Sequence, residues 1–144
     1  MFSLDERKQH TYIITNYIEK KLGMITNNRY INGYILLLVH WILTLIPLVY
    51  LFIGNINNIY YFCAFIWTMV FVFHFYFKGC IITRVERSLW KEKNWWGPWL
   101  FLFRPLEKIG IVMNDELANR IFILWGLSII LTVFFRLSAY YKLK

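Results

Sequence analysis

Long apolar runs alternate with short polar stretches along this chain, and that alternation predicts its architecture. Residues 31–53, 59–77 and 121–135 contain no Asp, Glu, Lys or Arg. At 1.5 Å per residue, about 20 apolar residues in a helix cover the hydrocarbon of a bilayer. The pattern therefore predicts an all-α integral membrane helical bundle with three transmembrane helices. Pro47 lies inside the first run, where a membrane helix tolerates it if a neighbour satisfies the freed carbonyl. Residues 54–58 are short and uncharged, the composition of a turn between antiparallel helices. No small-residue cleavage site follows the first run, so it is expected to remain as an anchor.

The flanking stretches keep a helical rhythm of their own. Ser3-Leu4-Asp5-Glu6 fits a capping box opening a helix that runs to Leu22 and stops at Gly23. Ile14, Tyr17, Ile18 and Leu22 share one side of it, which predicts an N-terminal amphipathic surface helix within residues 1–30; an arm packed on another protein is the alternative. Beyond Cys80, Ile82, Val85 and Leu89 continue the period, as if the second span left the bilayer as one long helix. Trp95-Trp96-Gly97-Pro98-Trp99 then breaks it, and residues 95–111 read as an aromatic interfacial segment. A fourth crossing within 95–113 would place Arg104, Glu107 and Lys108 in the hydrocarbon, at high cost. Asn114, Asp115 and Glu116 make a helix start for the third span, with the acids where the dipole favours them. Trp95, Trp96, Trp99, Tyr140 and Tyr141 are the candidate membrane-interface anchors.

Composition agrees with lipid as the burial medium. Of the 144 residues, 59% are hydrophobic and mean hydropathy is +0.47, above the 45–50% apolar content of a soluble domain. One membrane domain, residues 1–144, accounts for the length: an arm (1–30), the spans, a basic segment (78–120) and a tail (136–144). The net charge of +8 flanks the apolar runs. That placement suits anionic lipid headgroups and no nucleic acid. The 54–58 turn has no Lys or Arg, so the N-terminus and residues 78–120 are expected on the cytoplasmic side. Arg136, Lys142 and Lys144 in the tail count mildly against that orientation. Cys63 and Cys80 are too few for a disulfide framework. Heavy use of Ile, Asn, Lys, Tyr and Phe suggests an AT-rich coding genome.

Two groups of residues could carry chemistry. His40 and His74 are ionisable and lie within spans, where such residues usually face the bundle interior. Their depths differ by roughly 6–9 Å at the helical rise, so direct contact is not expected. They read either as a shared metal, haem or proton site, or as neutral rings bonded to neighbours such as Thr44 or Thr68. Cys80, Thr83 and Arg87 share a face of a continuous helix with Glu86 one step round. They could hold a ligand at the membrane surface, or form a salt-bridged cap in which Glu86 pairs with a base such as Arg104. The chain has no phosphate-cradling glycine loop, His-Glu-x-x-His, potassium-filter motif or nucleophile elbow. No cofactor and no metal are called for.

Cys80-Ile81-Ile82-Thr83-Arg84-Val85-Glu86-Arg87-Ser88-Leu89 resembles the Cys-Pro-Leu-Thr-x-x-Glu-x-x-Leu-Arg signature of a family of small multi-span membrane proteins of unknown function. Cys80, Thr83, Glu86 and Leu89 match, and His74 suits the upstream histidine of that family. Ile81 replaces the expected Pro and Trp90 the terminal Arg. The chain is also similar in style to short membrane proteins encoded by large DNA viruses. The resemblance implies a helical membrane bundle and no particular reaction. The expected function is structural, scaffolding or assembly, in a viral or organellar membrane complex, with self-association or other membrane proteins as partners. The alternatives are a membrane enzyme or haem/metal redox protein using His40, His74, Cys80 and Glu86, and a pore or transporter subunit.

Overall fold

A computed structural model describes residues 4–142 of the chain, and all its regular elements are helical. Six helices follow one another: α1 (Leu4–Gly23), α2 (Arg29–Ile53), α3 (Asn58–Phe77), α4 (Ile81–Trp90), α5 (Leu100–Lys108) and α6 (Asp115–Lys142). A single 3₁₀ turn, Gly97–Trp99, leads into α5. Helices α2, α3 and α6 are long and apolar enough to cross a membrane. Asparagine opens each of them. The side chain of Asn28 accepts from the amides of Tyr30 and Ile31, that of Asn57 from Tyr60, and that of Asn114 from Leu117 at 2.8 Å. A carboxamide oxygen satisfies amides that the first helical turn leaves without a partner. Ser3, expected to cap α1, lies outside the described residues.

The second span does not continue as one long helix. It ends at Lys78, whose φ of 52° is left-handed, followed by Gly79 at φ 134°. The amides of Lys78 and Gly79 both return to the carbonyl of His74, and the Arg84 guanidinium donates to the carbonyls of Phe77 (3.0 Å) and Lys78 (3.1 Å). A basic side chain thus satisfies the last carbonyls of α3. The chain restarts as α4 with Cys80 as its N-cap residue.

Helix α4 turns its apolar side to α1 and α2. Val85 and Leu89 are buried with Leu22 and Leu36, and Ile18, Ile35 and Ile82 pack around them. The α1 stripe expected to meet lipid is therefore internal at Ile18 and Leu22, and only Tyr17 of that set is exposed. Gly33 makes room for the Trp90 ring, which a β-carbon at position 33 would strike. The Arg29 guanidinium closes the same end by donating to the carbonyl of Ser88 at 3.0 Å.

The main core runs between the spans and upward under the tryptophans, through Leu51, Tyr60, Trp67, Phe122 and Ile129 to Trp96, Trp99 and Phe103. Trp96 and Trp99 are therefore core residues and not the lipid-facing anchors the sequence suggested. The reason is the 3₁₀ turn, which brings Trp96 onto Phe103 of α5 and Trp99 onto α6; Trp99 meets Trp125 edge-on at 4.7 Å. Helix α5 has nine residues, about 13 Å of rise, too short to cross. Helix α6 runs on past residue 135 without a break, and Tyr141 meets the hydroxyl of Tyr61 at 2.7 Å. One turn earlier, Arg136 donates to the carbonyls of Leu51 (2.6 Å) and Gly54 (2.8 Å) and lies over the Tyr60 ring.

Replacing Arg136 by Met leaves two helix-end carbonyls without their charged donor. Thermal unfolding in detergent should show a loss of about 1.5–3 kcal/mol. Arg136→Lys should recover part of it, since an ammonium reaches one carbonyl more readily than two.

Candidate functional site

The site lies at the end of the bundle where α3 stops and α4 begins. Positions 80, 83 and 86 are three residues apart, so the N-cap Cys80 and the first two turns of α4 present one strip to α2. Opposite them is His40. Its side chain is 1% exposed and that of Glu86 is fully buried. A carboxylate in such a place costs several kcal/mol unless each oxygen is matched. Both are. The His40 Nδ1–H donates to Glu86 Oε1 at 3.0 Å, and the Trp95 Nε1–H donates to Oε2 at 2.7 Å. On its other side His40 Nε2 faces Cys80 Sγ at 3.4 Å. Thiol, imidazole and carboxylate thus form one line of contacts that runs from α4 to α2 and back.

The backbone closes over this line at Gly97, whose φ is +60°. A β-carbon there would stand 2.7 Å from Thr83 Oγ1, 3.1 Å from His40 Cε1 and 3.2 Å from Glu86 Oε2. Only glycine meets both demands, the left-handed backbone and the close approach. Arg87 holds this lid down. It donates to the Trp95 carbonyl (2.6 Å) and to Asp115 Oδ1 (2.6 Å), and its guanidinium lies 4.5 Å from the Trp96 ring centre.

Around Cys80 stand His40 and His74 from the spans, Lys78 from the bend, Arg84, Glu86 and Arg87 from α4, and Asp115 from α6. Burial opposes ionisation of the Cys80 thiol. The charge and hydrogen bond of His40, joined by the amide and hydroxyl of Thr83, outweigh it and hold the thiol below its ordinary range. The N-cap position and the neighbouring imidazole are two features that favour the thiolate form of a cysteine.

Of the candidates read from sequence, Cys80, Thr83, Glu86 and His40 converge. Glu86 does not pair with Arg104, which lines a separate cavity beside α5. The hydroxyls of Thr44 and Thr68 reach backbone carbonyls of their own helices and not the histidine rings. His74 lies outside the line and stacks on Phe122 at 3.8 Å. It shares with His40 and Cys80 a cavity of about 430 Å³. Among the described residues no three His, Cys, Asp or Glu side chains are grouped to hold a metal ion. The donors are arranged in series, each bonded to the next, and do not surround a point. Trp95 and Gly97 were missed as site residues. The Gly-Pro step inside a tryptophan cluster was the available signal, read as a break opening an interfacial segment and not as a lid.

No family model, curated protein or solved structure matches the chain.

Glu86→Leu strands the His40 and Trp95 N–H groups in the interior. Unfolding in detergent should show a loss of about 3–5 kcal/mol. The double variant with His40→Phe should be less destabilised than the two single losses combined, because it removes the orphaned donor.

Proposed function

We propose that this protein is a membrane-embedded thiol enzyme of the acyl-transfer class, with Cys80 as nucleophile and His40 as general base. Glu86 is the positioning residue that holds His40 with Nε2 toward the sulfur. The observation that carries this reading is the Cys80–His40–Glu86 line at 3.4 and 3.0 Å, the arrangement by which a base both activates a thiol and is itself oriented. In this reading α2, α3 and α6 cross the bilayer. The Lys and Arg bias puts the site on the cytoplasmic side. Arg136, one of the tail residues that counted against this orientation, is engaged with carbonyls at the end of α2.

The thiol passes its proton to His40 Nε2 and attacks an acyl carbonyl carbon. The Thr83 amide serves the sulfur, and the amides of Ile81 and Ile82 in the same first turn of α4 lack intrahelical partners and stabilise the oxyanion. The leaving group takes the proton from His40 as its bond to carbon breaks. Water or an acceptor hydroxyl then repeats the transfer on the thioester and restores the thiol. The expectation of a scaffold rests on exposed apolar surface, which surrounding lipid accounts for equally well.

Alkylation of the intact protein by iodoacetamide tests the reading. Cys80 should label with a pH midpoint below the ~8.5 of a free thiol. The sign follows from the depressed thiol: the reactive thiolate persists as pH falls and is lost only below the lowered midpoint. His40→Ala should slow labelling at neutral pH by roughly 10-fold or more and return the midpoint toward the free value, and Glu86→Gln should move it part of the way. An ordinary midpoint that ignores His40 would end the proposal.

A further inference from the structure

Resting on the thiol reading, we infer that the group Cys80 accepts is a long-chain acyl group whose hydrocarbon occupies the cavity between α2 and α3. That cavity measures about 430 Å³, within the range of a built ligand site. Leu43, Ile66, Met69, Val70 and Phe73 form its walls, and Cys80 and His40 stand at one end. From Ile66 to Phe77 it extends along α3 for about 16 Å at the helical rise. It therefore lies along the spans, as a lipid chain does.

The thiol sits at the right depth for such a substrate. Cys80 follows directly on the end of α3. In a bilayer that is the boundary between hydrocarbon and headgroups, where acyl ester carbonyls lie. A second and smaller pocket of about 50 Å³ also reaches the thiol, and Lys78, Arg84 and Arg87 in its lining outnumber the one carboxylate, Asp115, which pairs with Arg87. The acyl carbon thus meets Sγ at the junction of an apolar cavity and a cationic pocket. An acyl chain carrying a polar or anionic leaving group matches both sides. The leaving group is an alkoxide oxygen in a lipid ester or a sulfur in a soluble thioester. In each case the carbon–sulfur bond to Cys80 forms, the bond to the leaving atom breaks, and His40 Nε2 returns the proton to that atom.

The test compares two alkylating probes on the purified full chain, iodoacetamide and its N-hexadecyl derivative. Comparing the ratio of their rates at Cys80 between a variant and the wild type in the same detergent cancels how each probe loads the micelle. Val70→Trp and Met69→Trp, which fill the cavity from α3, should lower the long-to-short ratio roughly 10-fold or more while leaving the iodoacetamide rate unchanged. Leu43→Trp fills it from α2 and gives an independent variant should one of the others fail to fold. The acyl source is read by incubating the protein with palmitoyl-coenzyme A or with phosphatidylglycerol vesicles. Mass spectrometry then looks for a hydroxylamine-sensitive palmitoyl group that Cys80→Ser abolishes. Acylation by the first names a soluble thioester as donor, by the second a membrane lipid, and either supports the inference. An unchanged probe ratio, or no acylation from either donor, overturns it. Fast, His40-dependent iodoacetamide labelling with an unchanged ratio overturns the acyl chain alone. Slow labelling by both probes overturns the thiol reading itself.

Discussion

The constraint on which this end of the molecule depends is the buried carboxyl group of Glu86. A carboxylate cut off from water has to be met by donors on both oxygens, and those donors must come from fixed places. Here they come from opposite sides of the chain, His40 in the first span and Trp95 just before the 3₁₀ turn. Each brings its own element with it. The depth of α4 along α2, the path of the tryptophan segment and the glycine over the site all follow from satisfying one acid. The same arrangement orients His40 toward Cys80, so the solution to a burial problem also sets an imidazole against a thiol.

The remainder of the bundle solves a related problem, the amides and carbonyls left without intrahelical partners at the ends of its helices. Three asparagines satisfy the amides that open the spans, and two arginines satisfy carbonyls where spans close. Arg84 and Arg136 do the same work at opposite ends, one at the close of α3 and one at the close of α2. A guanidinium can serve two carbonyls at once because its donors are held in a planar fork. Basic residues that look like headgroup contacts by charge alone are in these two cases internal parts of the fold. The aromatic cluster behaves likewise. Trp96 and Trp99 face inward because a 3₁₀ turn, not a flat interfacial stretch, carries them.

Much of the architecture was legible in the residues. Uncharged apolar runs of the right length marked α2, α3 and α6, and Asn114 with its following acids marked the start of the third. Cys80, Thr83 and Glu86 were recognisable as a group because their spacing of three puts them on one helical face. The link to His40 was not legible, since it joins positions 46 apart through packing that no local pattern records. Arg104 looked as good a partner for Glu86 as any by charge. The break at Lys78–Gly79 was also obscured, because the periodicity of α4 continues that of α3 across it.

What the sequence determined by itself is the secondary structure and the three helices apolar enough to cross a membrane: hydrophobic length and helical period are local properties, and local properties survive in a one-dimensional reading. What only the tertiary structure decided is which polar groups meet. Two helices can slide and rotate against each other without any change in their own patterns. At the Glu86 end their register is fixed by pairings that match both oxygens of the buried carboxyl group. That choice put an imidazole from one span between a thiol and a carboxylate from another element.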